Sequence, residues 1–267
     1  MASASSSLAS KLTSFSKCNF LSSSDLNSSQ ILSLFELAKQ LKTGNRRIDL
    51  GNRVLGLIFK KASTRTRVSF QVAMARLGGQ TVDLNPQITQ LDRGEPIKDT
   101  ARVLSRYCDA LAIRTFSQQE IEEYGEWSTI PVINALTDLE HPCQALADYL
   151  TIQEKFGELK GINLSYIGDG NNVANSLMMC GAMLGVNVQI CSPEGFNADS
   201  QIVEKAKSLS EFGSKISISN DPLKAVKEAQ VIYTDVWASM GQEEEHMKRQ
   251  KIFENYKVDQ KLIGLAD

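Results

Sequence analysis

Between Asp25 and Gly44 the apolar residues Leu26, Ile31, Leu34, Phe35, Ala38 and Leu41 recur at helical spacing, which predicts an amphipathic helix. Asn27 or Ser28 can cap it and Gly44 can end it. The pattern then changes. The run RVLGLIF is short and continuously apolar, as a buried strand is. A second helix is expected to begin near Val68 and to stop at Gly78 and Gly79. Strand and helix patterns alternate onward through IKDTARVLSRYC, DALAIRTF, QQEIEEYGEWS and IPVINAL. From Gly161 a fresh series begins, with candidate strands INLSYIG, VNVQIC, KISIS and VIYTDVW separated by helical segments. This alternation predicts an α/β fold of two domains, each a mostly parallel sheet flanked by helices. The helix PCQALADYLTIQEKFG lies between the two series and is expected to join them. The expected division is a serine-rich tail over 1–24, a first domain over 25–148 and a second over 149–267.

Length supports that division, because 267 residues exceed the usual size of one core. A composition 42% hydrophobic and 22% charged, with net charge −2, is that of an ordinary soluble globular chain. No basic stripe stands out, so a nucleic-acid partner is not expected. No run of about 18 apolar residues occurs, so no membrane span is expected either. The five cysteines are scattered, odd in number and form no CxxC pair, and they read as reduced thiols of an intracellular protein. The first 24 residues are rich in serine and carry Lys11 and Lys17 but no acid and no arginine. A tail on a cytoplasmic protein is the reading taken, with an organellar transit peptide as the alternative.

Chemistry concentrates in four segments. In KKASTRTRVSF an apolar strand is followed at once by Ser63, Thr64, Arg65, Thr66 and Arg67 at a helix entrance. Free N–H groups and the helix dipole make such an entrance an anion site. Three hydroxyls and the planar forks of Arg65 and Arg67 suit phosphate oxygens. It is not a Walker loop, which needs GxxxxGK[ST]. The plainer alternative is that Ser63 or Thr64 caps the helix and the arginines form surface ion pairs.

In LTDLEHPCQALADYL, Pro142 suits a first helical turn, leaving His141 at the entrance and Gln144 on the same face. An imidazole beside a helix N-terminus tends to stay neutral and can donate a hydrogen bond to a carbonyl oxygen. A capping histidine is the alternative. With only two histidines in the chain, a histidine-built metal cluster is excluded.

In YIGDGNNVANS, Gly168 and Gly170 fit the start of GxGxxG, but Val173 occupies the third glycine position. Asn171 and Asn172 suggest recognition of a small substrate, or simply a turn. In VIYTDVWASMGQEEE, Asp235 is expected to end a strand where open α/β sheets bind ligands, with a carboxylate suited to an ammonium group. Ser239 and Met240 follow in a loop.

Together these segments resemble the aspartate/ornithine carbamoyltransferase family over nearly the whole chain after the tail. STRTR and HPxQ are shared across that family, and DVWxSMG points within it to ornithine as acceptor. The resemblance implies transfer of the carbamoyl group of carbamoyl phosphate to the side-chain amine of L-ornithine, giving citrulline and phosphate in arginine biosynthesis. It implies carbamoyl phosphate bound mainly by the first domain, ornithine mainly by the second, a homotrimer, and no metal or organic cofactor. Ser63, Thr64, Arg65, Thr66 and Arg114 match the family's phosphate-side ligands, and His141 and Gln144 match the groups on the carbamoyl part. Gln90, by its offset from IKDTARVL, matches the residue that reaches a neighbouring subunit's site. Asn172, Asp235, Ser239 and Met240 match the positions that hold ornithine. Catalysis would fall to Arg65, Arg114 and His141.

One departure stands out. The family carries a His-Cys-Leu-Pro segment and a final returning helix, and this chain has neither, which leads to the expectation of a C-terminally truncated sequence with impaired turnover. Rival readings are a carbamoyltransferase for another amine, an NAD-dependent oxidoreductase using GDGNN, and a non-catalytic binding protein.

Overall fold

A computed structural model describes residues 18–85, 89, 94–237 and 246–266. The chain divides into two compact units, Met1–Asp138 and Leu139–Asp267.

In the first unit, β1 (Val54–Phe59), β2 (Gln80–Leu84), β3 (Ala110–Arg114) and β4 (Val132–Leu136) form one parallel sheet in the order β2-β1-β3-β4. Among the described residues four α-helices accompany it: α1 (Ser28–Lys42), α2 (Arg65–Arg76), α3 (Ile97–Leu104) and α4 (Gln118–Trp127). Side chains alternate between two apolar layers. Leu55, Leu57 and Phe59 pack with Phe70 and Met74 of α2, whereas Ile58 joins Leu111, Ile113 and Val132 against Ile121 and Tyr124 of α4. Burial on both faces explains the unbroken apolar run of β1. The edge strand β2 is mostly exposed and polar, so its sequence gave no such signal.

Two local expectations are resolved at the helix starts. Asn27, not Ser28, caps α1: its Oδ1 accepts from Gln30 N at 2.9 Å while its own N–H donates to Gln30 Oε1 at 3.0 Å. Helix α2 starts at Arg65, three residues before the expected Val68, because Val68 N already donates to Thr64 O at 3.0 Å. Residues 19–21, expected within the tail, lie along β4. Phe20 N donates to Val132 O and Asn134 N to Phe20 O, each at 2.8 Å. Gly125 makes room for this segment, since a Cβ there would stand 2.7 Å from Leu21 Cδ1. The first 17 residues of that tail lie outside the described residues.

The second unit repeats the plan. Strands β5 (Asn163–Ile167), β6 (Asn187–Cys191), β7 (Ile216–Ser219) and β8 (Val231–Tyr233) are parallel in the order β7-β6-β5-β8. Its helices are α5 (Pro142–Phe156), α6 (Asn172–Leu184), α7 (Ser200–Ser208), α8 (Pro222–Ala225), α9 (His246–Ile252) and α10 (Gln260–Ile263). Every residue from Val173 to Leu184 is buried, as α6 packs against α5, α7 and β6. On the other face Ile167 and Cys191 pack with Phe253, Tyr256 and Leu262. The expected boundary at residues 148 and 149 falls inside α5. That helix is fastened to α6 within this unit, with Tyr149 Oη donating to Leu177 O at 2.7 Å and His141 N to Ser176 Oγ at 2.9 Å. Among the described residues, no helix is long and apolar enough to cross a membrane.

Strand order places the candidate chemistry. In the first sheet the chain leaves β1 in one direction to β2 and returns to its other side at β3; in the second, β5 stands likewise between β6 and β8. Open parallel sheets bind ligands at the carboxyl ends of such strand pairs, where the connections diverge.

Candidate functional site

The carboxyl end of β1 leads through Ser63 and Thr64 into α2. Thr64 holds the N-cap position with φ −90° and ψ −58°, and its hydroxyl makes no capping bond, so the alternative in which Thr64 merely caps the helix is not met. The first-turn N–H groups of α2 remain available to an anion. Beside β1, Arg114 ends β3 opposite Phe59, and the register between β3 and β4 shifts between Ile113 and Arg114. Irregularities of this kind re-aim a side chain.

Arg114 is half-buried and its Nε, fully buried, has no hydrogen-bond partner. Burial, followed by the adjacent charge of Arg65, pulls its pKa below the usual guanidinium range. No carboxylate among the described residues neutralises either arginine. Lys60, by contrast, is satisfied by Glu120 at 2.5 Å. Two like charges held together without a counter-ion make a receptor for an anion. Arg67, whose fork the sequence also suited to phosphate, has other partners: its guanidinium pairs with Asp83 of β2 and lies 4.8 Å from the centre of the Phe59 ring. Gln90 lies outside the described residues.

In the second unit, Pro142 is the first residue of α5 and His141 its buried N-cap residue, with no capping bond from the imidazole. Gln144 Nε2 donates to Asp148 Oδ1 at 2.9 Å, and Tyr233 Oη donates to Asp148 Oδ2 at 2.9 Å. The strand β8 ends at Tyr233, so Asp235 lies two residues beyond it and not at its end. Asn171 caps α6 through Val173 N at 3.0 Å and Ala174 N at 3.3 Å, and its Nδ2 donates to Asp235 Oδ2 at 3.4 Å. Asn172 is the first residue of that helix. Ser239 and Met240 lie outside the described residues.

The electrostatics of this end of the second sheet are opposite to those of the first. Asp235 acts on both Asp148 and Asp169, while Arg249 pairs with Asp169 at 2.7 Å and donates to Trp237 O at 2.8 Å. Burial first, and Asp235 in addition, raise the carboxyls of Asp148 and Asp169 above the ordinary aspartate range. Beside them lies a cleft of about 370 Å³ lined by Asp235, Trp237, Arg249 and Lys257, in which Asp235 is the carboxylate able to meet an ammonium group.

The glycine turn argues against a dinucleotide. In such sites the second glycine lets pyrophosphate approach the backbone. Here Gly170 N donates to Phe196 O at 2.9 Å, and a Cβ on Gly170 would stand 2.2 Å from Ala198 N. The space is filled by the chain's own backbone.

Sequence reasoning missed Asp148, Asp169, Tyr233 and Arg249. Asp148 had a signal, standing four residues after Gln144 on one helix face. Asp169 and Arg249 meet only through the fold.

Residues 18–154 match the family described as aspartate/ornithine carbamoyltransferase, carbamoyl-P binding domain, and residues 160–267 match its Asp/Orn binding domain. The chain is 68% identical over 249 residues to the ornithine carbamoyltransferase of Prochlorococcus marinus, covering 93% of this chain and 78% of that protein. It is 61% identical over 267 residues to that of Parasynechococcus marenigrum, covering 100% of this chain and 84% of the relative. Among solved structures, ornithine carbamoyltransferase from Pyrococcus furiosus superposes with a TM-score of 0.89 at 47% identity, covering 94% of this chain and 82% of that one. The enzyme from Gloeobacter violaceus gives 0.85 at 48% identity, covering 93% and 81%. With two arginines in one unit that no described carboxylate neutralises, carboxylates around Asp235 in the other, and both units matched in order along the sequence, the chain belongs to the aspartate/ornithine carbamoyltransferase family.

Proposed function

We propose that this chain transfers the carbamoyl group of carbamoyl phosphate to the side-chain amine of L-ornithine, yielding L-citrulline and inorganic phosphate. The observation that carries the reading is that the charge of Arg65 bears on half-buried Arg114, with no carboxylate among the described residues neutralising either, at the strand pair where the first sheet diverges. The complementary carboxylates of the second unit support a cationic acceptor. The ornithine-type names of the relatives support ornithine over aspartate.

The roles follow the family resemblance. Ser63, Thr64, Arg65, Thr66 and Arg114 are assigned to the phosphate, His141 and Gln144 to the carbamoyl group, and Asn172, Asp235, Ser239 and Met240 to the amino-acid end of ornithine. Gln90 is assigned to the site of a neighbouring copy. An amine with a pKa near 10.4, as in lysine, leaves only about one part in a thousand neutral at pH 7.4, so the free amine must be selected or generated. Its lone pair attacks the carbamoyl carbon, the carbon–oxygen bond to phosphate breaks, and the nitrogen gives up a proton. Arg65 and Arg114 stabilise the leaving phosphate, and His141 the charge on the carbonyl oxygen. Carbamoyl phosphate is expected to bind first, since a bound anion attracts the cationic acceptor.

Arginine biosynthesis and a cytoplasmic setting belong to the same proposal, as does a homotrimer. Support for assembly comes from α2, which buries none of its residues and leaves Val68 and Val72 exposed near exposed Val82 of β2. The test of the reaction is citrulline formation from the two substrates. Sedimentation that returns a monomer at assay concentration would remove the trimer.

A further inference from the structure

Asp148 stands one turn after Gln144 on α5, and its two oxygens are divided between two donors. Oδ1 accepts from the Gln144 amide and Oδ2 from the Tyr233 hydroxyl, both at 2.9 Å. An ionised carboxylate has no hydrogen to give, so the amide nitrogen of Gln144 has to face it and the amide oxygen, Oε1, points away. The second tether is rigid. Tyr233 ends β8, and its ring stacks on Tyr166 with centroids 5.7 Å apart and planes at 21°. Asp148 is thus fixed from a strand on one side and fixes a helix side chain on the other.

We propose that Asp148 is a positioning residue that sets donor specificity: by holding the Gln144 amide in one orientation it presents Oε1 as an acceptor, selecting a phosphate ester whose acyl group bears N–H over one bearing a methyl. The proposal rests on the carbamoyl-transfer reading above. A flipped Gln144 would set Oε1 against Oδ1, acceptor against acceptor, between half-buried side chains where the repulsion is stronger than in water. Asparagine at 148 removes that constraint, because it offers one acceptor and one donor and accommodates either amide orientation.

The discriminating probe is acetyl phosphate, in which a methyl stands where carbamoyl phosphate carries its NH₂. Its inhibition constant, divided by the KM for carbamoyl phosphate, is measured in the citrulline assay for the wild-type chain, Asp148→Asn and Tyr233→Phe. In Asp148→Asn the ratio is expected to fall about tenfold, the worth of one specific hydrogen bond. In Tyr233→Phe, which leaves the contact between Asp148 and Gln144 in place, it should change by less than about twofold on the same scale.

An unchanged ratio in an active Asp148→Asn, or an equal fall in both variants, overturns the proposal. The wild-type pH profile supplies a check independent of folding of the variants. Protonated Asp148, facing Asp235 and Tyr233, can donate to Oε1, so the ratio should decline on acidification, and a pH-independent ratio counts against the proposal as well. A wild-type chain that neither forms citrulline nor binds carbamoyl phosphate would instead defeat the transferase reading.

Discussion

Arg114, at the end of β3, lies within reach of the charge of Arg65, the first residue of α2, which adds to burial in lowering the Arg114 pKa. Such an arrangement is unfavourable until an anion arrives. Arg65→Gln should therefore leave the ligand-free melting temperature unchanged or higher, while abolishing stabilisation by carbamoyl phosphate. In the wild-type chain that stabilisation should reach about 2.7 kcal/mol at a ligand concentration of 100 times Kd. A thermal-shift titration of both proteins checks this, and an equal shift in each would show that Arg65 does not meet the anion.

Arg67 belongs to the same motif but to a different function. Its pairing with Asp83 and its place over Phe59 fasten α2 to β1 and β2. Arg67→Gln should lower unfolding stability by about 0.5–1.5 kcal/mol, the combined range for a partly exposed ion pair and a cation–π contact. The KM for carbamoyl phosphate should stay within a factor of about two, as expected for a residue outside direct ligand contact. Urea denaturation and steady-state kinetics separate the two effects. A large rise in KM at unchanged stability would return Arg67 to the phosphate site.

Asn171 joins helix capping to the acceptor side. Its Oδ1 caps α6 and its Nδ2 reaches Asp235, so one substitution should show in two measurements. Asn171→Ala should cost about 1 kcal/mol in stability, as loss of an N-cap does. It should also raise the KM for ornithine more than that for carbamoyl phosphate. Loss of stability with both KM values intact would confine Asn171 to capping.

Acidification should act through Asp148 and Asp169, whose carboxyls titrate above the ordinary aspartate range. The folded chain holds these protons more tightly than the unfolded chain does. Their contribution to stability is therefore greatest when they are protonated, and it falls as pH rises from about 3.9 through the raised folded values. Ornithine affinity should run the opposite way, weakening on acidification as negative charge is lost. In Asp169→Asn the stability difference from wild type should become more positive as pH rises through that window, in a series of denaturation curves. A pH-independent difference would contradict the assignment.

How far the sequence could be read depended on whether a signal was local. The strand β1 was legible because burial on both faces demands a continuous apolar run, and α1 because its spacing and cap sit within a few residues. The edge strand β2 was not, since exposure leaves its polar composition without a pattern. The STRTR motif pointed to an anion, but the division of labour between Arg65 and Arg67 depends on Asp83, sixteen residues away on another strand. Likewise Asp235 could be singled out from its segment. Its neighbours Asp148, Asp169 and Arg249 converge only when β5, β8, α5 and α9 are folded.

The central claim is carbamoyl transfer built on the arginine pair, and its most direct test is citrulline formation by the wild-type chain and by Arg114→Ala. The wild-type chain should produce citrulline and phosphate in equal amounts. The variant should fold, yet lose about a hundredfold or more in kcat/KM, as removal of a charge-stabilising group does. A wild-type chain that neither forms citrulline nor binds carbamoyl phosphate, or undiminished turnover by folded Arg114→Ala, would contradict the account.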